Sequence, residues 1–185
     1  MALRASFLLL LALSSQASAD EVFAGVSYTG WQESLRLRDS AGTEFTLVAN
    51  THGPCMGVGW GRRYPSWGFS GRVCAFVAQS DVGSESPTLI YRESSLDTVG
   101  GMLGPGIHYY PPTGQVALGI VAPLFLAHTN WAVPDPTYTI DSKTRFSASL
   151  LVEAQYHFGR VVFQQRFGSV IGVGWLWGVG LDYLL

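Results

Sequence analysis

The sequence predicts an all-β fold: a closed, antiparallel, up-and-down transmembrane β-barrel of about eight strands. Three observations carry that expectation. The first is the stretch 171–185, IGVGWLWGVGLDYLL. Val173, Trp175, Trp177, Val179, Leu181, Tyr183 and Leu185 share one face at period two, and Gly172, Gly174, Leu176, Gly178, Gly180 and Asp182 share the other. A large apolar face backed by glycine neither fills a soluble core nor solvates a surface, whereas it suits a strand with lipid on one side and a narrow lumen on the other. The second is composition. The 185 residues are 48% hydrophobic but only 13% charged, against about a quarter charged in soluble proteins. Beyond the first 19 residues no run approaches the ~20 apolar residues of a membrane helix. The third is the spacing of breaks. Tight turns near 65, 112 and 158 fall on one side of the alternating segments, and the long segments 29–53, 81–97 and 129–143 fall on the other.

The N-terminus reads as a secretory signal peptide, residues 1–19. Arg4 supplies the positive end, Phe7 to Leu13 the apolar centre, and Ala17-Ser18-Ala19 the cleavage motif. Residues 20–185 then form one barrel domain. Net charge is −2 and the only lysine is Lys143, so nucleic acid is not an expected partner.

Val22, Ala24, Val26 and Tyr28 define the first outward face. At Thr29-Gly30 the apolar phase changes, and Trp31, Leu35 and Leu37 take over. Asp39 to Thr43 suits a three-residue hairpin loop with Gly42 left-handed. It sets Leu37 opposite Phe45, Leu35 opposite Leu47, and Arg38 opposite Glu44. The phase changes back at His52-Gly53-Pro54, and Met56, Val58 and Trp60 resume the apolar face beside Tyr28, Val26 and Ala24. Matched changes on both strands predict paired β-bulges. The upper half, with Glu33, Arg36, Arg38, Asp39 and Glu44, is expected to project into the medium. Dividing this hairpin in two gives a ten-stranded alternative.

The turn Arg63 to Ser66 leads into a strand over 67–80. Centred between Tyr64 and Pro65, it sets Cys55 opposite Cys74 and Gly57 opposite Arg72. The pair is either a cross-strand disulfide or two small free thiols facing the lumen. Asp81 to Asp97 reads as a polar loop. Leu103, Ile107 and Tyr109 face out on the next strand, and Gly104, Gly106 and His108 face in. After Pro111 to Gly114, Val116 to Leu126 forms an unbroken outward stripe, followed by a loop over 129–143. Phe146 to Tyr156 alternates again, turns at Phe158-Gly159, and returns through Val161, Phe163 and Phe167. Trp60, Trp67, Phe69, Tyr109, Tyr156 and Tyr183 cluster near the short turns as an interfacial girdle would. A soluble lipocalin-like barrel is the rival, but it would leave Leu124, Leu126, Val152, Phe163, Trp175 and Trp177 exposed to water.

The alternating segments, the leader and the C-terminal stripe resemble the small outer-membrane β-barrel families, such as the OmpA-like and OmpX-like proteins. The resemblance is one of pattern over residues 20–185, with no family-specific motif. It implies location in the outer membrane, contact with outer-membrane lipid and lipopolysaccharide, and passage through the barrel-assembly machinery. In those families the last strand ends in an aromatic residue that aids assembly; here it ends in Leu185.

The inward polar residues are Arg72, His108, Glu153, Gln155, His157, Arg160, Gln164, Arg166 and Asp182. A turn centred on Phe158-Gly159 sets Glu153 opposite Gln164 and diagonal to Arg166. Eight strands leave an interior that side chains just fill, and buried charges persist only when partnered. A salt-bridged plug is therefore expected over an ion path. Lipid A deacylases carry a His-x-Ser arrangement that is missing here. His128, His52 and serines 84, 86, 94 and 95 with Glu85 and Glu93 could supply a rim catalytic set only if the fold assembles them. The four histidines lack ligand spacing, so no metal or cofactor is expected. Tyr91, Trp131 and Tyr138 are candidate surface-loop contacts. The expected role is non-enzymatic: structural, or surface binding through the outer loops. A lipid A acyl hydrolase or transferase is the alternative, and a narrow pore the third.

Overall fold

The computed structural model describes residues 19–84, 92–112, 114–130, 138–140, 144–170 and 174–185. Apart from Ala19, the expected signal peptide lies outside them. Ten strands form one antiparallel sheet: β1 (Ala19–Asp39), β2 (Glu44–Arg63), β3 (Trp67–Ser84), β4 (Arg92–Tyr109), β5 (Val116–Val121), β6 (Leu124–Thr129), β7 (Tyr138–Ile140), β8 (Thr144–Phe158), β9 (Val161–Val170) and β10 (Gly174–Leu184). Pairing of β10 with β1, from Phe23↔Leu184 to Trp31↔Leu176, closes the sheet on itself. The closed ring has eight staves, because β5 and β6 are one stave. Both pair with β4 and β8 in a single register. Pro123 has no N–H to give the ladder, yet its carbonyl still accepts from Ser149, and the Ala122 N–H bonds Pro105. The ten-stranded alternative required a divided first hairpin, and that hairpin is undivided.

The β1–β2 ladder runs from Ala19↔Arg63 to Arg38↔Glu44 without a shift. Its loop matches the sequence expectation: Gly42 has φ of 84°, and Leu37, Leu35 and Arg38 meet Phe45, Leu47 and Glu44. The expected bulges at Thr29-Gly30 and His52-Pro54 are absent from it. Odd residues of β1 point inward along its whole length. In the lower half they are Phe23, Gly25, Ser27 and Thr29; in the upper half, Trp31, Glu33, Leu35 and Leu37. What changes is the medium outside, so the apolar residues move from the outward to the inward positions. Glu33, expected to project, is accordingly buried, with 3% exposure.

The same inversion recurs around the wall. Outward residues below are apolar: Met56 and Val58 on β2, Val73 and Val77 on β3, Leu103 and Ile107 on β4, Leu118 and Ile120 on β5. Above them β2 shows Asn50 and Thr46 outward, β3 shows Gln79 and Asp81, and β4 shows Asp97. On β2 the apolar band lies between Arg62 and His52. Ten residues at ~3.3 Å per residue and a tilt near 40° give a height of ~25 Å, that of a transmembrane barrel's lipid-facing band. At its lower edge Arg62 makes a bidentate ion pair with Asp20, at 2.7 and 3.0 Å. The aromatic girdle sits there too, with Trp60 edge-on to Phe69 at 5.3 Å and Tyr64 stacked on Trp67 at 4.3 Å.

Two expected loops are partly strand. β3 continues to Ser84 and β4 begins at Arg92, because inward Val82 and Leu96 have a core to join. Polar outward residues had hidden that alternation. Within 129–143, Tyr138–Ile140 pairs with Leu37, Arg38 and Asp39 of β1. That covers part of the upper edge of β1, which β10 leaves above Trp31.

Candidate functional site: a layered lumen

The interior is stacked in layers that follow from which residues point inward at each height. The lowest is polar. Glu153 on β8 is its centre. Glu153 Oε1 accepts from His108 Nε2 at 2.9 Å and Gln155 Nε2 at 2.6 Å, and its other oxygen accepts from Arg166. Arg166 also donates to Gln164, whose Nε2 donates to Asp182 at 3.0 Å, and Arg72 donates to the same Asp182 oxygen. His157 Nε2 donates to Gln155 Oε1 at 3.3 Å. Eight of the nine polar residues expected to face inward, Arg72, His108, Glu153, Gln155, His157, Gln164, Arg166 and Asp182, thus form one network. Arg160 does not join it; it is exposed in the turn after β8.

Two registers differ from expectation by two residues. Glu153 pairs directly with Arg166, not Gln164, because the turn is centred further along, with Phe158↔Val161. On β2–β3, Cys55 pairs with Phe76 and Cys74 with Gly57, because Arg63 pairs with Gly68. The two cysteines therefore sit on a diagonal and are joined there as a disulfide, with Cα atoms 6.0 Å apart.

The glycines that left the inward face bare have a use that spacing alone could not show. Asp182 lies over Gly25, where a Cβ would fall 2.0 Å from its Oδ1. His108 lies over Gly119, where a Cβ would fall 2.2 Å from its ring. Each large polar side chain lies flat across a neighbouring strand because that strand has no side chain there. Remaining voids in this layer are about 20 and 30 Å³, room for isolated waters.

Above it an apolar septum crosses the barrel: Trp31, the Cys55–Cys74 disulfide, Phe76, Met102, Phe125, Leu151 and Leu176. Trp31 meets Phe76 edge-on at 5.3 Å and Phe125 at 5.7 Å. Its residual void is about 10 Å³. Hydration of an ion cannot pass such a layer without repacking it.

Over the septum runs a belt of hydroxyls that single-strand patterns did not reveal. Thr51, Ser80, Thr98 and Thr129, from β2, β3, β4 and β6, join at 2.7, 2.7 and 2.8 Å. Arg145 on β8 donates to Thr129 at 2.8 Å and grips Glu33 on β1 at 2.8 and 2.6 Å. Pairing of β8 with β9 ends at Ser149, and pairing of β1 with β10 ends at Trp31. The Glu33–Arg145 pair therefore ties β1 to β8 above the shorter β9–β10 hairpin. A second apolar core, Leu35, Leu37, Leu47, Ala49, Val82 and Leu96, closes the top.

Among the described residues the rim candidates do not converge. His128 faces outward and bonds Thr144 through Nδ1 at 2.8 Å. His52 lies on the outer wall between Tyr28 and Asp97, and no described serine lines that site. Tyr91 and Trp131 lie outside the described residues, as do Glu85 and Ser86 and the side chains of Glu93, Ser94 and Ser95. Tyr138 packs edge-on against Phe45 at 6.3 Å, so its ring serves the upper core.

Closed ring, lipid-height apolar band and filled lumen define the class: a small eight-staved transmembrane β-barrel. No protein-family model matches the chain, and no curated protein matches it in sequence. Among solved structures it is similar to Ail, the attachment invasion locus protein of Yersinia pestis, in complex with the heparin analogue sucrose octasulfate. The identity is 12% and the TM-score 0.49, over 90% of this chain and 100% of that one. It is also similar to Neisserial surface protein A, at 15% identity and a TM-score of 0.44 over 92% of this chain and 100% of that one. Identities this low carry no residue role and no ligand across.

Proposed function

We propose that the chain is a non-enzymatic outer-membrane barrel that stabilises the envelope or presents a binding surface on the part that stands above the lipid. The inverted upper wall is the observation that carries this. It has its own core and a polar outside, with Arg36, Arg38, Glu44, Thr46, Asn50, Asp81 and Asp97 turned outward. A barrel meant only to be anchored would end at the membrane surface. The septum and the polar plug favour this role over a pore. The outer-membrane address fits a secretory leader and strands in place of membrane helices.

The test is a mass spectrum of lipid A from a Gram-negative strain expressing the chain, beside the empty vector. An unchanged spectrum is expected, with the folded protein shown in the outer membrane by a gel shift on boiling. A lost or gained acyl chain would replace this reading with a lipid-modifying enzyme and turn attention to His52 and His128.

A further inference from the structure

One cavity lies neither in the lumen nor at the top. It is a groove of about 310 Å³ in the outer wall, lined by Tyr28, His52, Pro54, Val77, Gln79 and Asp97. That places it at the lower end of ligand pockets, which run about 300–1,000 Å³. Local chemistry makes it. Pairing of β2 with β3 holds from Arg63↔Gly68 up to Cys55↔Phe76 and resumes at His52↔Gln79. Between them lie Gly53 and Pro54, and proline has no donor for the ladder. The wall is dented at that point.

Its height decides what can fill it. Below lie Met56, Val58 and Val73, all outward in the apolar band, at 67%, 59% and 57% exposure. Above lie Asn50 and Asp81. The groove therefore straddles the boundary between acyl chains and headgroups, and a lipid must face it. Its polar groups are one carboxylate, one amide and one imidazole, beside the Tyr28 ring, which lies 6.2 Å from that of His52. Among the described residues none of Asp97, Gln79 and His52 has a hydrogen bond from its side chain to the protein. Among the described residues no arginine or lysine lines the groove, so a bare phosphate finds no cationic partner in that lining. A carboxylate and an amide accept from hydroxyl and amide N–H donors, and a tyrosine face takes the apolar face of a sugar ring.

We infer that this groove binds the sugar headgroup of a glycolipid, with acyl chains lying down over Val77, Met56 and Val58. The inference rests on the reading of the chain as a membrane barrel, and it adds a lipid site on the wall to a binding surface above it.

The test uses the full folded barrel in nanodiscs of equimolar phosphatidylcholine, phosphatidylethanolamine and monogalactosyl diacylglycerol with matched chains. Lipids that remain bound after gentle release are counted by native mass spectrometry. The galactolipid should be retained about tenfold over phosphatidylcholine, the order of a hydrogen bond to a charged acceptor. Asp97→Asn and His52→Ala should each bring the ratio close to parity. Leu118→Ala, on a different part of the lipid face, should keep it. Parity in the unaltered protein, a preference for phosphatidylethanolamine, or a ratio unmoved by both groove variants would overturn the inference. The boiling gel shift, run on the same samples, separates the failures. A barrel that inserts but shows parity loses only the groove, and one that never inserts loses the membrane reading as well.

Discussion

The two halves of the β1–β2 hairpin share one ladder and one inward parity, yet they read as opposites. Below His52, Val26, Met56 and Val58 face out and Phe23, Gly25 and Ser27 face in. Above it, Leu35, Leu37 and Leu47 face in and Ser34, Arg36 and Thr46 face out. The difference teaches that side-chain polarity reports the medium on each side of a wall, while the backbone can pass from lipid to water unchanged. The lower barrel is an inside-out protein with a polar centre. The upper barrel is an ordinary soluble one, with a small apolar core. The septum and the hydroxyl belt lie where the two meet.

Breaking the lower half from within should have the largest effect. Glu153→Ala leaves Arg166 buried without its carboxylate, which costs about 3–5 kcal/mol. Urea titration of the refolded barrel, followed by gel shift, reads it. A loss under 1 kcal/mol would mean that water already solvates the plug.

The outward face sharpens the comparison, because one substitution can be made in both halves of one strand. Val58→Arg puts a charge in the lipid band and costs about 2–4 kcal/mol. Thr46→Arg, on the same face of β2 but above the band, should stay within about 0.5 kcal/mol of the parent. Equal effects in a bilayer titration would erase the boundary at His52.

Opening the disulfide that spans the septum, by Cys55→Ala with Cys74→Ala, frees a loop with a sequence separation of 19. About 2–4 kcal/mol of stability goes with it, and a lower urea midpoint for the double variant is the readout. At the small end is the exposed ion pair of Arg38 with Glu44, at 2.6 Å. Arg38→Ala should cost at most about 1 kcal/mol, and the cost should shrink further in 1 M salt. A larger loss would show the hairpin tip to be more tightly bound into the upper core than its exposure implies.

Much of the lower barrel was legible in the sequence, because lipid on one side and a polar lumen on the other leave strict alternation. The girdle, the short turns and the hairpin at Asp39 to Thr43 followed from it. The change at Thr29 and His52 was legible as an event and misread as to cause. A one-residue slip and a change of solvent both send apolar residues to the other parity, and a single strand cannot tell them apart. For the same reason Glu33 was placed outside and β3 was ended four residues early. The lumen's members could be named from parity, but not their pairing. A turn placed one residue off moves each partner by two, as happened for Cys55 and for Glu153. The belt was invisible because Thr51, Ser80, Thr98, Thr129 and Arg145 meet only once five strands are aligned.

One continuous wall crossing two media is tested most directly by a spin-label scan of β2, residues 46 to 60, in bilayers, reading collisions with oxygen and with a nickel chelate. Even positions should be accessible throughout, favouring oxygen at 56 and 58 and nickel at 46 and 50, while odd positions 47, 49 and 51 stay protected from both. If accessibility moves to the odd positions above His52, the strand slips by one residue, and the account of one continuous wall crossing two media is wrong.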